Sequence, residues 1–296
     1  MTAPRLARLA SRAVIAVSGP DWRSFLQGLL TQDVETLAVG ELRFAGLLTP
    51  QGKLLYDLFV AGTEDGALLD VATAHRDAIL TRLSMYRLRA KVELTASDRP
   101  VIAVFGEQAS GEGLYADPRL SALGARAYDD RATNADEDAY EAHRLALGVP
   151  GPADWGSETT YPIEANFDLL AGIDFKKGCF VGQETTSRMK RRGTIKNRML
   201  PIVFDGAPPP FGAEVLAGEL RAGEVLSGRD GRAMALLRLD RIEGAALSVE
   251  GRPVQVERPD WLTLSLRLRA LLFQGRQRKI TVAQTGDHKG QWGLTP

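Results

Sequence analysis

Residues 161–200 read YPIEANFDLLAGIDFKKGCFVGQETTSRMKRRGTIKNRML, with the octapeptide KGCFVGQE at positions 177–184. Gly178 and Gly182 bracket Cys179 in this octapeptide, and glycine permits a positive φ or a close approach of the backbone to a ligand. Eight basic residues flank the thiol in sequence: Lys176, Lys177, Arg188, Lys190, Arg191, Arg192, Lys196 and Arg198. Because positive charge favours the thiolate, Cys179 is a candidate nucleophile, redox centre or soft-metal ligand.

Cys179 also has a plainer interpretation, and the composition restricts what the thiol can do. A lone cysteine is most often a small buried hydrophobe, and a basic run is most often a solvated helix face. Cys179 is the only cysteine of the chain, so an intramolecular disulfide is impossible. A cluster held by four thiolates would have to be shared with a partner or a second copy. The three histidines have no ligand spacing, so we expect no metal site beyond Cys179 as one ligand of a shared cluster.

Between the N terminus and this segment, strands and helices alternate with short connections. Residues 14–17, 42–48 and 54–60 have the apolar and partly β-branched character of strands. Residues 74–88 and 135–147 carry apolar side chains at helical spacing. This interleaving predicts an α+β fold rather than a sandwich or a helical bundle.

The sequence changes beyond about residue 196, where short apolar runs are separated by glycines. This pattern predicts a small antiparallel β-barrel or sandwich that ends near Trp261. The last residues carry six basic side chains and one acidic side chain, so we interpret them as a basic extension. The predicted divisions are an N-terminal α+β domain at 1–98, a second α+β domain with the octapeptide at 99–195, a barrel at 196–263 and the extension at 264–296.

The composition is that of an ordinary globular protein, with 296 residues, a formal net charge of zero and an apolar fraction of 44%. Without a net field, recognition of a charged partner has to come from a local patch. No apolar run approaches the roughly 20 residues that cross a bilayer, so we expect no membrane partner. Residues 13–17 look like a core strand, so we expect no cleaved signal at the N terminus and a cytoplasmic location.

Several sequence blocks together resemble one protein family. The octapeptide at 177–184 is nearly the signature of the YgfZ family, in which the residue after the cysteine is commonly tyrosine and here is Phe180. Residues 162–166, PIEAN, are similar to the family's P-x-E-A-N lead-in, and residues 85–92, MYRLRAKV, match another family block. The resemblance covers about residues 12–262. On these motifs the chain is identified as a member of the YgfZ family, folate-binding relatives of the glycine-cleavage T-protein.

The resemblance implies a fold, a cofactor and a role. The family's fold is a three-domain ring of the glycine-cleavage T-protein type, with two α+β domains, the first of them binding folate, and a C-terminal antiparallel β-barrel. YgfZ-like proteins support the maturation or repair of iron–sulfur enzymes, including radical enzymes that modify tRNA. No settled reaction is assigned to them, so the resemblance favours an accessory role over an enzymatic one. It implies tetrahydrofolate or another folate derivative, in polyglutamylated form, as cofactor, and iron–sulfur client or carrier proteins as partners.

The resemblance also implies which residues form the site. Cys179 would be the reactive thiolate, and the basic residues at 188–198 would suit the carboxylates of the glutamyl tail of folate. The residues implied to bind folate are Tyr86, Arg89, Lys91, Glu164, Lys177, Gly178, Gly182, Gln183, Glu184, Arg188 and Lys190.

Two other functions stay open. The first is a tetrahydrofolate-dependent aminomethyltransferase or demethylase, because Asp77 falls about where the T-protein keeps its catalytic aspartate and would act as acid or base. Against it, Ala146 takes the place of the T-protein glutamate that grips the pterin ring, with Glu164 or Glu184 as candidate substitutes. The second is a tRNA-binding accessory protein. The zero net charge and the lack of aromatic residues among the basic ones argue against it, so direct nucleic-acid binding is not expected.

Overall fold

The computed structural model describes residues 3–106, 109, 111–193, 195–229 and 231–262. The chain divides into one compact unit of residues 1–261 and a second unit of residues 262–296. The fold and the site described below belong to the first unit. The predicted basic extension at 264–296 lies outside the described residues.

A five-stranded antiparallel sheet is built from the first hundred residues. The elements there are, in chain order, β1 (Arg5–Arg8), β2 (Arg12–Ser18), α1 (Trp22–Gln27), β3 (Leu42–Leu48), β4 (Leu54–Thr63), β5 (Gly66–Ala72), α2 (Arg76–Arg87) and β6 (Glu93–Ser97). The strand order is β3-β4-β5-β2-β6. Ile79 and Leu83, four residues apart on α2, belong with Leu26 of α1 to one buried core cluster against this sheet. The strands and the helix predicted here from hydrophobic spacing are therefore confirmed.

A second, four-stranded sheet takes one of its strands from the N terminus. The elements that follow residue 98 are β7 (Ile102–Phe105), β8 (Tyr115–Ala116), β9 (Ala125–Ala127), α3 (Glu137–Ala146) and α4 (Gln183–Arg192). The strand order β1-β7-β9-β8 sets β1 against β7, with Leu6 opposite Val104. The structure thus places residues 5–8 in the sheet of the second predicted domain, because their backbone hydrogen bonds go to β7. The other bounds of the predicted domains stay a prediction.

The remaining strands close into a barrel. The elements are β10 (Asn197–Val203), β11 (Glu214–Ala217), β12 (Leu220–Arg229), β13 (Arg232–Arg238), α5 (Leu239–Ile242), β14 (Leu247–Val249) and β15 (Arg252–Val256). Their order is β10-β13-β12-β11-β14-β15, and β10 pairs with β13 on one side and β15 on the other. Closure leaves no unpaired edge strand. Of the two options predicted for this segment, the antiparallel barrel is correct, and the α+β fold class is confirmed.

A cluster of buried ion pairs in the first sheet extends to the second through Arg126. Arg12 of β2 donates hydrogen bonds to Asp57 of β4 (2.8 Å) and Asp70 of β5 (2.6 Å), and Arg126 of β9 donates to the other Asp70 oxygen (2.6 Å). The Arg126 guanidinium also lies 3.8 Å from the centroid of the Phe59 ring. Burial acts to raise the pKa of Asp70, but the two guanidiniums outweigh it and hold that pKa below its ordinary value. The carboxylate is therefore ionised and shared between the sheets.

Candidate functional site

Lys177, the first residue of the octapeptide, fastens this segment to the end of α1. Its buried ammonium group donates hydrogen bonds to the backbone carbonyl oxygens of Gln27 (2.8 Å), Leu30 (2.6 Å) and Gln32 (2.9 Å). These carbonyls lie at and just beyond the C-terminal end of α1, where the helix dipole favours a cation. An ammonium group has three donors, and all three are used here. Lys177 was predicted to bind folate, and in the structure its ammonium binds carbonyl oxygens of its own chain.

Residues 172–177 contact the chain just after α1 through a charged group, the Lys177 ammonium, and through a neutral one, the Thr31 hydroxyl. Burial lowers the pKa of Lys177 to about 8, although the carboxylates of Asp33 and Asp174 act in the opposite direction. Buried Thr31 donates through its hydroxyl to the Gly172 carbonyl (2.6 Å), and its own carbonyl accepts the N–H of Asp174 (3.0 Å). At neutral pH the ammonium keeps its proton, and its hydrogen bonds fix the first residue of the octapeptide to the end of α1.

Cys179 lies at an exposed tip between two anchored residues. On one side is Lys177, and on the other Phe180 is buried in the same core cluster as Phe167. The N–H of Val181 then donates to the carbonyl of Gly28 just after α1 (3.2 Å). Cys179 itself is exposed. The interpretation of the cysteine as a small buried hydrophobe is therefore wrong, while its ionisation and reactivity stay a prediction.

The two glycines that bracket the thiol differ in what they require. Gly182 has a φ of 82°, and a Cβ placed there would lie 2.6 Å from the carbonyl oxygen of Thr49 and 3.0 Å from the Cα of Gly52. Only glycine fits this approach to the loop between β3 and β4, and it sets the position where α4 begins. At Gly178 a Cβ would meet no heavy atom within 4 Å. Gly182 is thus a packing requirement, and Gly178 lies in open space.

A surface cavity of about 500 Å³ lies along one face of α4. It is lined by Phe175, Gln183, Glu184, Ser187, Lys190 and Arg191. The five helical residues recur at spacings of one, three and four, which places them on one side of α4. Small-molecule sites commonly have volumes of about 300–1,000 Å³. The cavity is therefore large enough for a ligand the size of a pterin.

Charge is separated along this cavity. Glu184 is in the first turn of α4, and Lys190 and Arg191 are in its last turn, the arrangement that the helix dipole favours. The Lys190 ammonium lies 5.0 Å from the centroid of the Phe175 ring and 3.8 Å from the nearer oxygen of Asp168. The cavity thus offers a carboxylate at one end, cations at the other and an aromatic ring beside the cations.

Three of the predicted folate-binding residues, Gln183, Glu184 and Lys190, are brought together in this cavity. Arg188 is exposed on the same helix without lining the cavity. Glu164 accepts the backbone N–H of Tyr161 with one oxygen (3.0 Å) and the side-chain amide of Asn197 with the other (3.1 Å). Both of its oxygens thus have donors within the chain, so its role as a pterin contact stays a prediction.

The remaining predicted residues lie on the first part of the chain. Tyr86, Arg89 and Lys91 are exposed at the end of α2 and in the turn after it, and they do not line the α4 cavity. The Asp77 side chain is 90% exposed in the first turn of α2, 3.4 Å from the guanidinium of Arg76. Asp77 does not line the α4 cavity, and its role as acid or base stays a prediction.

Sequence reasoning missed two residues of the cavity. Ser187 follows Gln183 by four positions and Glu184 by three, so a helical projection of residues 183–192 would have found it. Phe175 comes from the loop before α4, and no local pattern assigns it to the helix face. Arg191 was noted only as part of the basic run.

Among the described residues, no group of three or more His, Cys, Asp or Glu side chains is arranged to hold a metal ion. No helix described is both long enough and apolar enough to cross a membrane.

Comparisons with known proteins agree with this fold. Residues 9–111 match the family model of the GCVT N-terminal domain, and residues 196–264 match that of the CAF17 C-terminal beta-barrel domain. The glycine cleavage system aminomethyltransferase T from Bartonella henselae superposes with a TM-score of 0.71 at 17% identity, over 89% of this chain and 87% of that chain. The predicted fold of the glycine-cleavage T-protein type is confirmed.

The sequence relatives are iron–sulfur cluster assembly factors. The mitochondrial factor IBA57 of Homo sapiens is 30% identical over 86% of this chain and 84% of that protein. The Mus musculus factor is 30% identical over 80% of this chain and 78% of that protein. The homolog of Neurospora crassa is 31% identical over 75% of this chain, which spans only 58% of the length of that relative.

These relatives correct one prediction and establish the family. All of them carry the word mitochondrial in their names, so the predicted cytoplasmic location is wrong on this comparison. The identity and coverage reached by the human and mouse factors bear out the family to which the octapeptide pointed. The chain belongs to the YgfZ/IBA57 family of iron–sulfur cluster assembly factors.

Proposed function

We propose that this chain supports the maturation of iron–sulfur proteins, with Cys179 as its reactive thiol and a folate in the α4 cavity. The relatives named as iron–sulfur cluster assembly factors support the role. The observation that carries the proposal is that one continuous segment, residues 174–192, presents both an exposed thiol and a cavity suited to a charged aromatic ligand. The partners we expect are iron–sulfur carriers and client enzymes, among them enzymes that modify tRNA.

The position of Cys179 suits transient contact with a cluster as cargo. A thiolate is the usual protein ligand of an iron–sulfur cluster, and four are normally needed. Cys179 is exposed, while Lys177 and Phe180 on either side are buried. A partner can therefore bring its own ligands up to the thiol without displacing the core. With one cysteine in the chain, the other ligands come from that partner or from a second copy.

The chemistry of the cavity fits a folate. A carboxylate pairs well with the hydrogen-bond donor edge of a pterin, and Glu184 supplies one. An aromatic ring favours stacking with a flat ligand, and Phe175 supplies one. Lys190 and Arg191 suit the carboxylates of a glutamyl tail, which is why we expect a polyglutamylated form. When bound, tetrahydrofolate would supply the capacity to carry a one-carbon unit.

Calorimetric titration with monoglutamyl and triglutamyl tetrahydrofolate tests the folate site. We expect the wild-type protein to bind the triglutamate more tightly, and Lys190→Ala to weaken it about tenfold, the loss of roughly 1.4 kcal/mol of charge-assisted contact. Arg188→Ala is the matched control, because it removes the same charge from the same helix outside the cavity. Equal effects of the two substitutions, or no binding of either folate, would remove the cavity from the proposal.

A further inference from the structure

The end of α2 presents apolar side chains to solvent. Leu88 is 88% exposed and Met85 is 64% exposed, and the neighbouring Tyr86 is exposed as well. The apolar face that anchors α2 is a different one, since Ile79 and Leu83 are buried in the core. We call residues 82–91, from the last turns of α2 through the following turn, the α2 knob.

Leu88 is held in an unfavourable backbone conformation. Its φ of 44° with a ψ of −105° lies outside the regions that a leucine normally adopts. The turn is fixed by its surroundings, because the N–H of Lys91 donates to the carboxylate of Asp21 (2.7 Å) and the N–H of Ala90 donates to the carbonyl of Arg87 (2.7 Å). Such strain persists only where the surrounding structure imposes it, and it is found most often at functional positions. Here it projects an apolar side chain into solvent.

The α2 knob is strongly basic. Residues 82–91 contain four basic side chains and no acidic one, in a chain whose formal net charge is zero. The four are Arg82, Arg87, Arg89 and Lys91. The ion pairs found among the described residues include none of them. Arg89 and Lys91 are exposed beside Leu88 in the chain, and the one carboxylate of the described residues that contacts this turn, that of Asp21, accepts the Lys91 backbone N–H. Exposed apolar side chains next to cations without an ion-pair partner are complementary to an acidic surface with an apolar centre.

We propose that the α2 knob is a docking site for a partner protein that presents an acidic face around an apolar pocket. Protein interfaces are enriched in methionine, aromatic and arginine side chains, and the α2 knob exposes Met85, Tyr86 and Arg89 near the apolar Leu88. A membrane-binding helix needs a longer apolar face, and that of α2 is already buried in the core. Single-stranded nucleic acid would need several stacking rings, and the knob has only Tyr86. The inference does not rest on folate or on Cys179.

Site-specific photo-crosslinking in the full-length chain tests this docking site. A benzophenone amino acid is placed at position 88 and, as a control, at position 220, because Leu220 of the barrel is a second highly exposed leucine (64%). A protein captured in cells from position 88 and not from position 220 is identified and purified. It is then titrated against the wild-type chain, Leu88→Ser and Leu220→Ser at two salt concentrations.

We expect the captured protein to have an acidic crosslinked face and to bind the wild type more weakly at the higher salt concentration. Leu88→Ser should weaken binding at least tenfold, and Leu220→Ser should leave it unchanged. Because Leu88 is exposed, the serine variant should unfold at the same denaturant concentration as the wild type. Capture of no protein, of RNA, of lipid or of a second copy from position 88 would overturn the proposal. So would an affinity that responds neither to Leu88→Ser nor to salt.

Discussion

Replacing Gly182 with alanine should destabilise the protein, whereas the same change at Gly178 should not. Both glycines lie in the octapeptide, and both changes add one methyl group. At Gly182 the backbone is left-handed, and the new Cβ would lie 2.6 Å from the carbonyl oxygen of Thr49. At Gly178 a Cβ meets no heavy atom within 4 Å. The pair therefore isolates the contact of the α4 start with the loop between β3 and β4.

The size of the effect follows from two contributions. A left-handed conformation costs a residue with a Cβ about 1–2 kcal/mol. Overpacking against a backbone carbonyl that cannot rotate away adds about 1–3 kcal/mol. Gly182→Ala should thus lower the free energy of unfolding by about 2–5 kcal/mol. Gly178→Ala should change it by no more than about 1 kcal/mol, in the stabilising direction if the unfolded chain loses freedom.

Urea unfolding followed by circular dichroism measures both variants under the same conditions. The midpoint of Gly182→Ala should fall clearly, with an unchanged slope, and that of Gly178→Ala should stay near the wild type. If both variants lost the same stability, or if Gly182→Ala lost none, the close packing of the octapeptide against the β3–β4 loop would be refuted.

Two further predictions concern buried charges. Lys177→Met removes three hydrogen bonds to carbonyls and should destabilise the protein by about 2–4 kcal/mol at pH 7. Because burial lowers the pKa of Lys177 to about 8 from 10.5, the unfolded chain binds more protons between these pH values. Wild-type stability relative to Lys177→Met should then rise with pH by up to about 1.4 kcal/mol per unit, and parallel pH profiles in urea unfolding would contradict this. Asp154 is buried and accepts the N–H groups of Gly151 (2.7 Å) and Ser227 (3.1 Å) while pairing with Arg144, so Asp154→Ala should cost about 3–5 kcal/mol in the same assay. The exposed Asp138, paired with a surface arginine, is the control, and Asp138→Ala should leave the midpoint unchanged.

Local sequence patterns were enough for most of the fold. The strands at 42–48 and 54–60 and the glycine-punctuated barrel strands follow from alternation and turn residues, which act over a few positions. The pairing of Arg5–Arg8 with Ile102–Phe105 joins segments almost a hundred residues apart. Nothing in the sequence of either segment identifies the other as its pairing partner. Strand existence was therefore predictable, while the partner of the first strand was not.

The site was predictable in part for the same reason. Gln183 and Glu184 came from the octapeptide and Lys190 from the basic residues after it, and helical spacing brings all three onto one face. The family resemblance implied a ligand role for Lys177, yet its ammonium is buried against Gln27, which is 150 positions away. Burial decides whether a lysine binds a ligand or its own chain, and burial is set by tertiary packing. The exposure of Leu88 could not be predicted either, because the helical pattern of residues 74–88 does not show at which residue the buried face of the helix ends.

The central claim, that Cys179 is the working thiol of an iron–sulfur maturation factor, is tested most directly by complementation. A strain lacking its own family member is supplied with the wild-type chain or with Cys179→Ala, and the activity of an iron–sulfur enzyme that fails in that strain is measured. Because Cys179 is exposed, the alanine variant should unfold at the same urea concentration as the wild type. We expect the wild type to restore the enzyme and Cys179→Ala to leave most of the defect. Full restoration by a folded Cys179→Ala would contradict the role of the thiol.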